Sequence, residues 1–295
     1  MFGNTIIDFI TRFIRKSTLL SYRHSYHAGN YADVIKHIVL IEILEHLIKK
    51  ENAFDYIDTH AGAGLYNLQS AHATKLQEYT QGIAKLIKRD WPELASYFDV
   101  VESYNKPDSL DVYPGSPAIA SNFLRRQDRS WLYELHPRDA ALLLENSAKQ
   151  KGVRVMHENG FKGMEAILPP VSRRGLILID PSYEIKTDYK QVFDSIANAY
   201  HKFPTGTYAL WYPVVDRKNI DILERKLIRS GIKKIQQFEL AIAQDQFGSG
   251  MSASGMIVIN PPWMLKDKMA KVLPKLVSVL GGEGAFYKCD DLVGE

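Results

Sequence analysis

Short, continuous apolar runs alternate along this chain with longer stretches in which apolar residues recur every three or four positions. That alternation predicts strands linked by helices, and hence an α/β fold built on a mostly parallel sheet. The clearest run is Leu176-Ile-Leu-Ile179, which leads into Asp180-Pro-Ser-Tyr183. Four consecutive apolar residues suit a strand buried on both faces. Pro181 ends it, because proline fixes its own φ and brings no N–H to a ladder. Similar runs predict strands over Phe54–Asp58, Ser130–Leu135, Val153–Glu158, Thr207–Pro213, Lys234–Leu240 and Gly255–Asn260. These seven strands are predicted to form a parallel sheet whose edge is an antiparallel hairpin. Asp58, Glu134, Asn159 and Asp180 then fall at successive strand ends on one rim, where open α/β sheets bind ligands.

Helical spacing runs from Asp33 to Lys50, and returns at Leu76, Tyr79, Ile83, Leu86 and Ile87. Pro92–Tyr104 reads as another helix. Residues 65–111 are therefore predicted to be a helical insertion after the first strand, its apolar stripe serving for packing. Residues 19–64 and 112–295 form the body of the domain. Met1–Lys16 is a short amphipathic pattern in which Asp8, Arg12 and Arg15 interrupt the apolar positions, so it is no secretory signal. Residues 1–18 are expected to be an extension outside the core.

Composition narrows the class. A chain of 295 residues is long enough for a sizeable core. A net charge of +3 permits a nucleic-acid partner without requiring one. The single cysteine, Cys289, excludes a disulfide framework or a thiolate zinc cluster and fits a reducing cytoplasm. No apolar run approaches the roughly 20 residues that span a bilayer, so no membrane role is expected.

Candidate chemistry clusters at three places. The strand ending at Asp58 runs into Thr59-His-Ala-Gly-Ala-Gly64, a glycine turn of the kind that lets a backbone approach a nucleotide-like cofactor. No Gly-Lys-Ser/Thr follows, which excludes a Walker phosphate loop, and a dinucleotide would favour a third glycine. S-adenosylmethionine has no pyrophosphate to cradle and suits the shorter loop better. An acid after the second strand, Glu134, is placed to accept the ribose hydroxyls. The second place is Asp180-Pro-Ser-Tyr183, where a carboxylate, a fixed carbonyl and an aromatic ring could grip a planar amine. Stacking there needs the ring of Tyr183 and not its hydroxyl. The pattern resembles the Asp/Asn-Pro-Pro-Tyr motif of N6-adenine methyltransferases; a rival copy, Asn260-Pro-Pro-Trp263, ends the edge hairpin and reads as a capped strand end. The third place is the stretch from Ser21 to His37, in and just after which fall four of the nine histidines (His24, His27, His37, His46). With Tyr22, Arg23 and Lys36 it reads as a basic, aromatic arm beside a polyanion. No carboxylate or cysteine completes a zinc set around His24 and His27, and no metal is expected. Tyr113-Pro-Gly-Ser-Pro117 is a turn opening a helix, with Ser116 an ordinary cap.

Taken in order, Ser21–His37, Asp58–Gly64, Tyr113–Pro117, Glu134-Leu-His-Pro137, Pro169–Pro181, Gly206–Pro213 and Ser254–Trp263 closely resemble the bacterial 23S ribosomal RNA adenine-N6 methyltransferases of the RlmJ family, from about Leu20 to the region of Leu280. The resemblance implies a class I (Rossmann-like) methyltransferase fold and S-adenosylmethionine as cofactor. It also implies action on 23S ribosomal RNA, naked or in an early assembly intermediate; the protein is expected to be a cytoplasmic monomer. The resemblance places cofactor contacts on His37, His60, Ser116, Glu134, Asn159 and Gly160, to which the glycine turn adds Gly62 and the strand end adds Asp180. The catalytic groups are Asp180, Pro181 and Tyr183, with RNA contacts at Tyr22, Arg23 and Lys36. Three departures stand out: Ser182 replaces a proline, Asn159 replaces an aspartate, and residues 1–18 have no counterpart. The alternatives are a DNA adenine-N6 methyltransferase, a nicotinamide-dependent oxidoreductase, or a non-catalytic RNA-binding module that would leave Asp180 idle.

Overall fold

The computed structural model describes residues 23–183, 187–245 and 250–295. Tyr22 and the extension 1–18 lie outside them. The chain runs α1 (Tyr31–Ile48), β1 (Asp55–Asp58), β2 (Leu65–Asn67), α2 (Ala71–Leu76), α3 (Ala95–Ser103), β3 (Val112–Pro114), α4 (Ser116–Ser121), β4 (Arg129–Tyr133), α5 (Pro137–Ser147), β5 (Val153–Met156) and α6 (Gly160–Ile167). It continues with β6 (Gly175–Ile179), α7 (Thr187–Lys202), β7 (Thr207–Val214), α8 (Arg217–Arg229), β8 (Ile235–Ala241), β9 (Ala253–Ile259), α9 (Leu265–Leu280) and β10 (Phe286–Val293).

Five strands, in the order β5-β4-β1-β6-β7, are parallel. β6 is buried at all five positions, as a continuous apolar run in a covered parallel sheet should be. The chain order reverses at β1, whose two neighbours are β4 and β6, and ligands of such sheets bind at the strand ends beside that reversal. Beyond β7 the sheet turns antiparallel: β9 pairs with β7 and β8, and β10 pairs with β8.

The sheet therefore has eight strands and not seven. The additional one, β10, is an edge strand, half-buried and interrupted by a register shift between Asp291 and Val293. Its Lys288, Asp290 and Asp291 break the apolar run that marked the other strands, and edge strands keep such charges as protection against pairing with another chain.

One apolar layer packs α1, α9 and the 65–111 segment on one face of the sheet, and the other packs α6, α7 and α8. Helix α1 begins two residues earlier than its spacing suggests, because Asn30 caps it: Oδ1 accepts the N–H groups of Ala32 and Asp33, both at 3.0 Å. The continuous helix expected over Leu76–Ile87 does not form. Gln77 ends α2 in the left-handed region (φ 50°), and the N–H of Ile83 bonds the Gly29 carbonyl at 2.9 Å instead of one four residues back. Short 3-10 turns fill the interval to α3. At the root of this segment β2 and β3 pair antiparallel.

Candidate active site

The rim formed by the carboxyl ends of the parallel strands carries a cavity of about 230 Å³, bordered by His37, His60, Gly62, Ser116, Glu134 and Gly160 among others. Asp58 anchors it from below. Its Oδ2 accepts the Tyr56 and Ser116 hydroxyls, each at 2.7 Å, and its Oδ1 accepts the His60 N–H at 3.2 Å. Burial pushes this carboxyl up to about 6. Ser116 thus spends its hydroxyl on Asp58 and not on capping α4. Glu134 holds the glycine turn: Oε2 accepts the Gly62 N–H at 2.8 Å and Oε1 the His136 N–H at 2.7 Å. A carboxylate oxygen has more than one lone pair, so each can still receive a ligand hydroxyl.

Two glycines are required by close approach. At Gly62 the backbone is left-handed (φ +61°), and a Cβ would sit 2.2 Å from the Tyr66 hydroxyl. A Cβ on Gly160 would lie 1.9 Å from the Thr59 carbonyl, so only glycine lets α6 start against the loop after β1. Asn159 caps that helix, its Oδ1 accepting the Lys162 N–H at 3.1 Å. The amide oxygen that Asn159 offers a cofactor is therefore already shared with the helix terminus.

Two of the cavity's histidines, His37 and His60, are neutral. Burial lowers His60 to about 4 and His37 to about 3. His37 is 1% exposed; its Nδ1 pairs with the Tyr113 hydroxyl at 2.8 Å, and its buried Nε2 has no partner among the described residues. A sealed, unpartnered ring nitrogen bordering a cavity is unfavourable unless a ligand completes it. That nitrogen, the Glu134 carboxylate and the cradle at Gly160 fit a cofactor with a polar amino-acid end, a ribose and an adenine.

A second cavity, about 370 Å³, lies on the other side of Asp180. His24, Lys36, Asp180, Ser182 and Trp211 border both cavities and form the wall between them. Lys36 had been expected among the RNA contacts. It is 4% exposed, and its Nζ bonds Asp180 Oδ2 at 2.7 Å and Asp33 Oδ1 at 2.8 Å. Burial alone would strip its charge, but Asp180 and then Asp33 outweigh that and raise its pKa. Asp33, buried as deeply, is held ionised by His24 and Lys36 against its own desolvation.

Tyr183 sits in the second cavity, in the left-handed region (φ 51°), a costly conformation for a residue with a large side chain. It is held there by its hydroxyl, which donates to the Trp211 carbonyl at 2.8 Å, and by ring contact with Tyr189 at 4.5 Å. The hydroxyl therefore has a tethering role that the sequence did not suggest. Pro181 is buried and borders the first cavity.

The arm is folded back onto the body. His24 Nε2 pairs with Asp33 Oδ2 at 2.8 Å, His27 with Glu78 at 2.9 Å and Ser25 with His72 at 2.9 Å, while Tyr26 stacks on His72 at 4.4 Å. Arg23 opens the short turn His24–Tyr26. The two histidines thus face carboxylates of the protein itself. Asp33, Trp211 and Tyr189 were not singled out from the sequence. The spacing of Asp33 and Lys36, one helical turn apart, is the available signal for the first; for the two aromatics the sequence offers none.

The rival motif is remote. β9 runs antiparallel to β7, with Ile259 opposite Tyr208, so Asn260 emerges at the amino-terminal ends of the parallel strands, across the sheet from Asp180. Its Nδ2 donates to the carbonyls of Pro204 and Gly206, both at 2.8 Å, and Trp263 is 76% exposed.

A sheet reversing at β1, a glycine turn tied to an acid after β4 and a cavity fitted to the cofactor define a class I, S-adenosylmethionine-dependent methyltransferase. A family model described as "Ribosomal RNA large subunit methyltransferase D, RlmJ" matches residues 51–292. Ribosomal RNA large subunit methyltransferase J of Escherichia coli (strain K12) is 53% identical over 271 residues, covering 91% of this chain and 97% of its own. The protein of the same name from Haemophilus influenzae is 49% identical over 269 residues, covering 90% and 96%. A crystal structure of a Legionella pneumophila protein superposes with a TM-score of 0.83 at 38% identity, covering 90% of this chain and 98% of its own. The chain belongs to this family of large-subunit ribosomal RNA methyltransferases.

Proposed function

We propose that the chain transfers a methyl group to the N6 amine of one adenine in 23S ribosomal RNA, with the cofactor in the first cavity and the target base in the second. The observation that carries this reading is the shared wall: Asp180 faces both cavities, and Lys36 bonds it at 2.7 Å. S-adenosylmethionine supplies an electrophilic methyl group when bound. His37, His60, Gly62, Ser116, Glu134, Asn159 and Gly160 are assigned to hold it. The chain's task is to bring a weakly nucleophilic amine into line, and fixing two reactants in attack geometry is worth about 7–11 kcal/mol.

Lys36 keeps the Asp180 carboxylate oriented, and Asp180 accepts a hydrogen bond from the amine and takes its proton once the nitrogen becomes positively charged. Asp180 need not be a strong base, since the amine is acidic by then. The Pro181 carbonyl accepts the amine's second N–H. Tyr183, with Tyr189 and Trp211, gives the cavity the aromatic faces that a flipped base stacks on. Extruding an adenine costs a few kcal/mol and is cheapest from loops or unfolded RNA. Arg23 and Tyr22 are assigned to the RNA approaching that cavity. We propose that the protein acts as a monomer. No helix among the described residues is long and apolar enough to cross a membrane; we assign the protein to the cytoplasm with its substrate, and residues 65–111 to an insertion subdomain.

The test is to map N6-methyladenine in 23S ribosomal RNA from cells with and without the gene, and to methylate an unmodified transcript with the purified protein. One adenine should lose its mark in the deletion strain and gain it in the tube. An unchanged map together with an unmethylated transcript would overturn the reading.

A further inference from the structure

Helix α8 begins at the mouth of the second cavity, which Asp216 and Asn219 border, and runs away from it. At 100° per residue, Lys218, Asn219, Ile222, Arg225, Lys226 and Arg229 share one face, and no acid falls among them. Core residues Ile220, Leu223 and Leu227 occupy the neighbouring face. The stripe extends about 15 Å from Asn219 to Arg229 at 1.5 Å per residue.

Its far end borders an open groove of about 390 Å³ between α7 and α8, lined by Phe193, Ile222, Arg225, Lys226 and Arg229. Lys226 Nζ lies 5.4 Å from the centre of the Phe193 ring, and Ile222 is 46% exposed. Among the described residues, Lys218, Arg225, Lys226 and Arg229 form no ion pair, although eight other lysines do. An apolar floor with a cationic rim suits a chain whose phosphates are negative and whose bases have a flat face. The Asn219 amide, at the cavity mouth, makes no side-chain hydrogen bond among the described residues.

Building on the RNA-methyltransferase reading above, we propose that this face of α8 is the track for the RNA strand flanking the target adenine. Lys218 and the three groove cations contact its phosphates, Phe193 supports a flanking base, and Asn219 marks the point where the target nucleotide leaves the strand for the cavity. The surface is continuous with the base cavity, and its charge is opposite to the RNA backbone. It reads no sequence: it fixes register and leaves identity to the cavity.

The experiment compares the wild type with R225Q/K226Q/R229Q and with K106Q/K149Q/K151Q, which removes the same charge elsewhere. Binding of an unmethylated 23S ribosomal RNA transcript is titrated at several salt concentrations, and methyl transfer and S-adenosylmethionine binding are measured alongside. Three lost phosphate contacts should flatten the slope of log affinity against log salt by about 2, at roughly 0.7 per contact, and weaken binding roughly ten- to a hundredfold near physiological salt. The loss should appear in the KM for RNA, with cofactor binding retained as the check on folding; the control variant should follow the wild type. If the groove variant keeps the wild-type slope and KM, or if the control variant loses as much, the track is overturned. A wild type that methylates no ribosomal RNA would instead remove the functional reading beneath it.

Discussion

Asp180-Pro-Ser-Tyr183 and Asn260-Pro-Pro-Trp263 are chemically alike, yet they leave strands that run in opposite directions. The first emerges at the rim where β1, β4 and β5 also end, so its carboxylate bonds a lysine and borders two cavities, the second lined by three aromatic rings. The second emerges at the opposite rim, where its amide is consumed by the carbonyls of Pro204 and Gly206 and its tryptophan faces solvent. A motif acquires chemistry from the strand polarity that delivers it. Residue types alone do not assign the role.

The largest separation between the two should come from swapping their polar residues. Asp180→Asn removes a charged acceptor used as the new bond forms and should cost roughly 2–4 kcal/mol in kcat/KM, about 30- to 1000-fold, while cofactor affinity measured by calorimetry stays near the wild-type value. Turnover like that of the wild type would dissolve the distinction. Asn260→Asp is the mirror case. It deletes two amide donors and sets a carboxylate against two carbonyls, so about 1–3 kcal/mol of folding stability should be lost in denaturant unfolding, with kcat preserved in the folded fraction.

Protonation tests the first rim further. His37 and His60 have folded pKa values of about 3 and 4, below the unfolded value near 6.5. As pH falls from 6.5 the unfolded chain takes protons first, so stability present at neutral pH is lost on the way down to 4 and 3. Asp58 works the other way: its folded value of about 6 exceeds the unfolded one near 3.9, so it adds stability as pH falls through that interval. Two histidines against one aspartate give a net loss. Thermal midpoints followed from pH 7 to pH 4 should fall for the wild type and fall less for His37→Gln; parallel curves would show that His37 does not set the slope.

Smaller still is Tyr183→Phe, which frees the Trp211 carbonyl and untethers a left-handed residue. About 1 kcal/mol should be lost, read as a higher KM for RNA with cofactor binding unchanged. A variant with wild-type KM would mean that the ring alone holds the loop. Trp263→Ala closes the series, because an exposed side chain away from any network changes stability by no more than about 0.5 kcal/mol and should leave turnover alone. A catalytic defect there larger than at Tyr183 would restore the rejected motif.

Seven of the eight strands were legible as short apolar segments, most plainly in the unbroken run of β6, and the four rim residues followed from where those segments stop. β10 was not, since an edge strand with Lys288, Asp290 and Asp291 has no such run. The Leu76–Ile87 helix had the right period but lost its hydrogen bonds to a tertiary partner, Gly29, which no local pattern records. The burial of Lys36 was illegible for a related reason. A lysine beside an arm of histidines reads as solvent-facing, and only the fold reveals that Asp180, 144 residues away, neutralises it inside.

That separation bears on how the enzyme is made. The first cavity takes its last bordering residue from β7, at Trp211, but the second also needs Met251, whose carbonyl accepts the Tyr31 hydroxyl at 2.9 Å across 220 residues of chain. Contacts so distant must wait for the entropy of closing long loops to be offset, and synthesis delivers the amino-terminal half first. The growing chain therefore acquires the makings of its cofactor cleft before those of its base cavity. Products that end between Trp211 and Met251 contain every residue that borders the first cavity and lack at least one that borders the second.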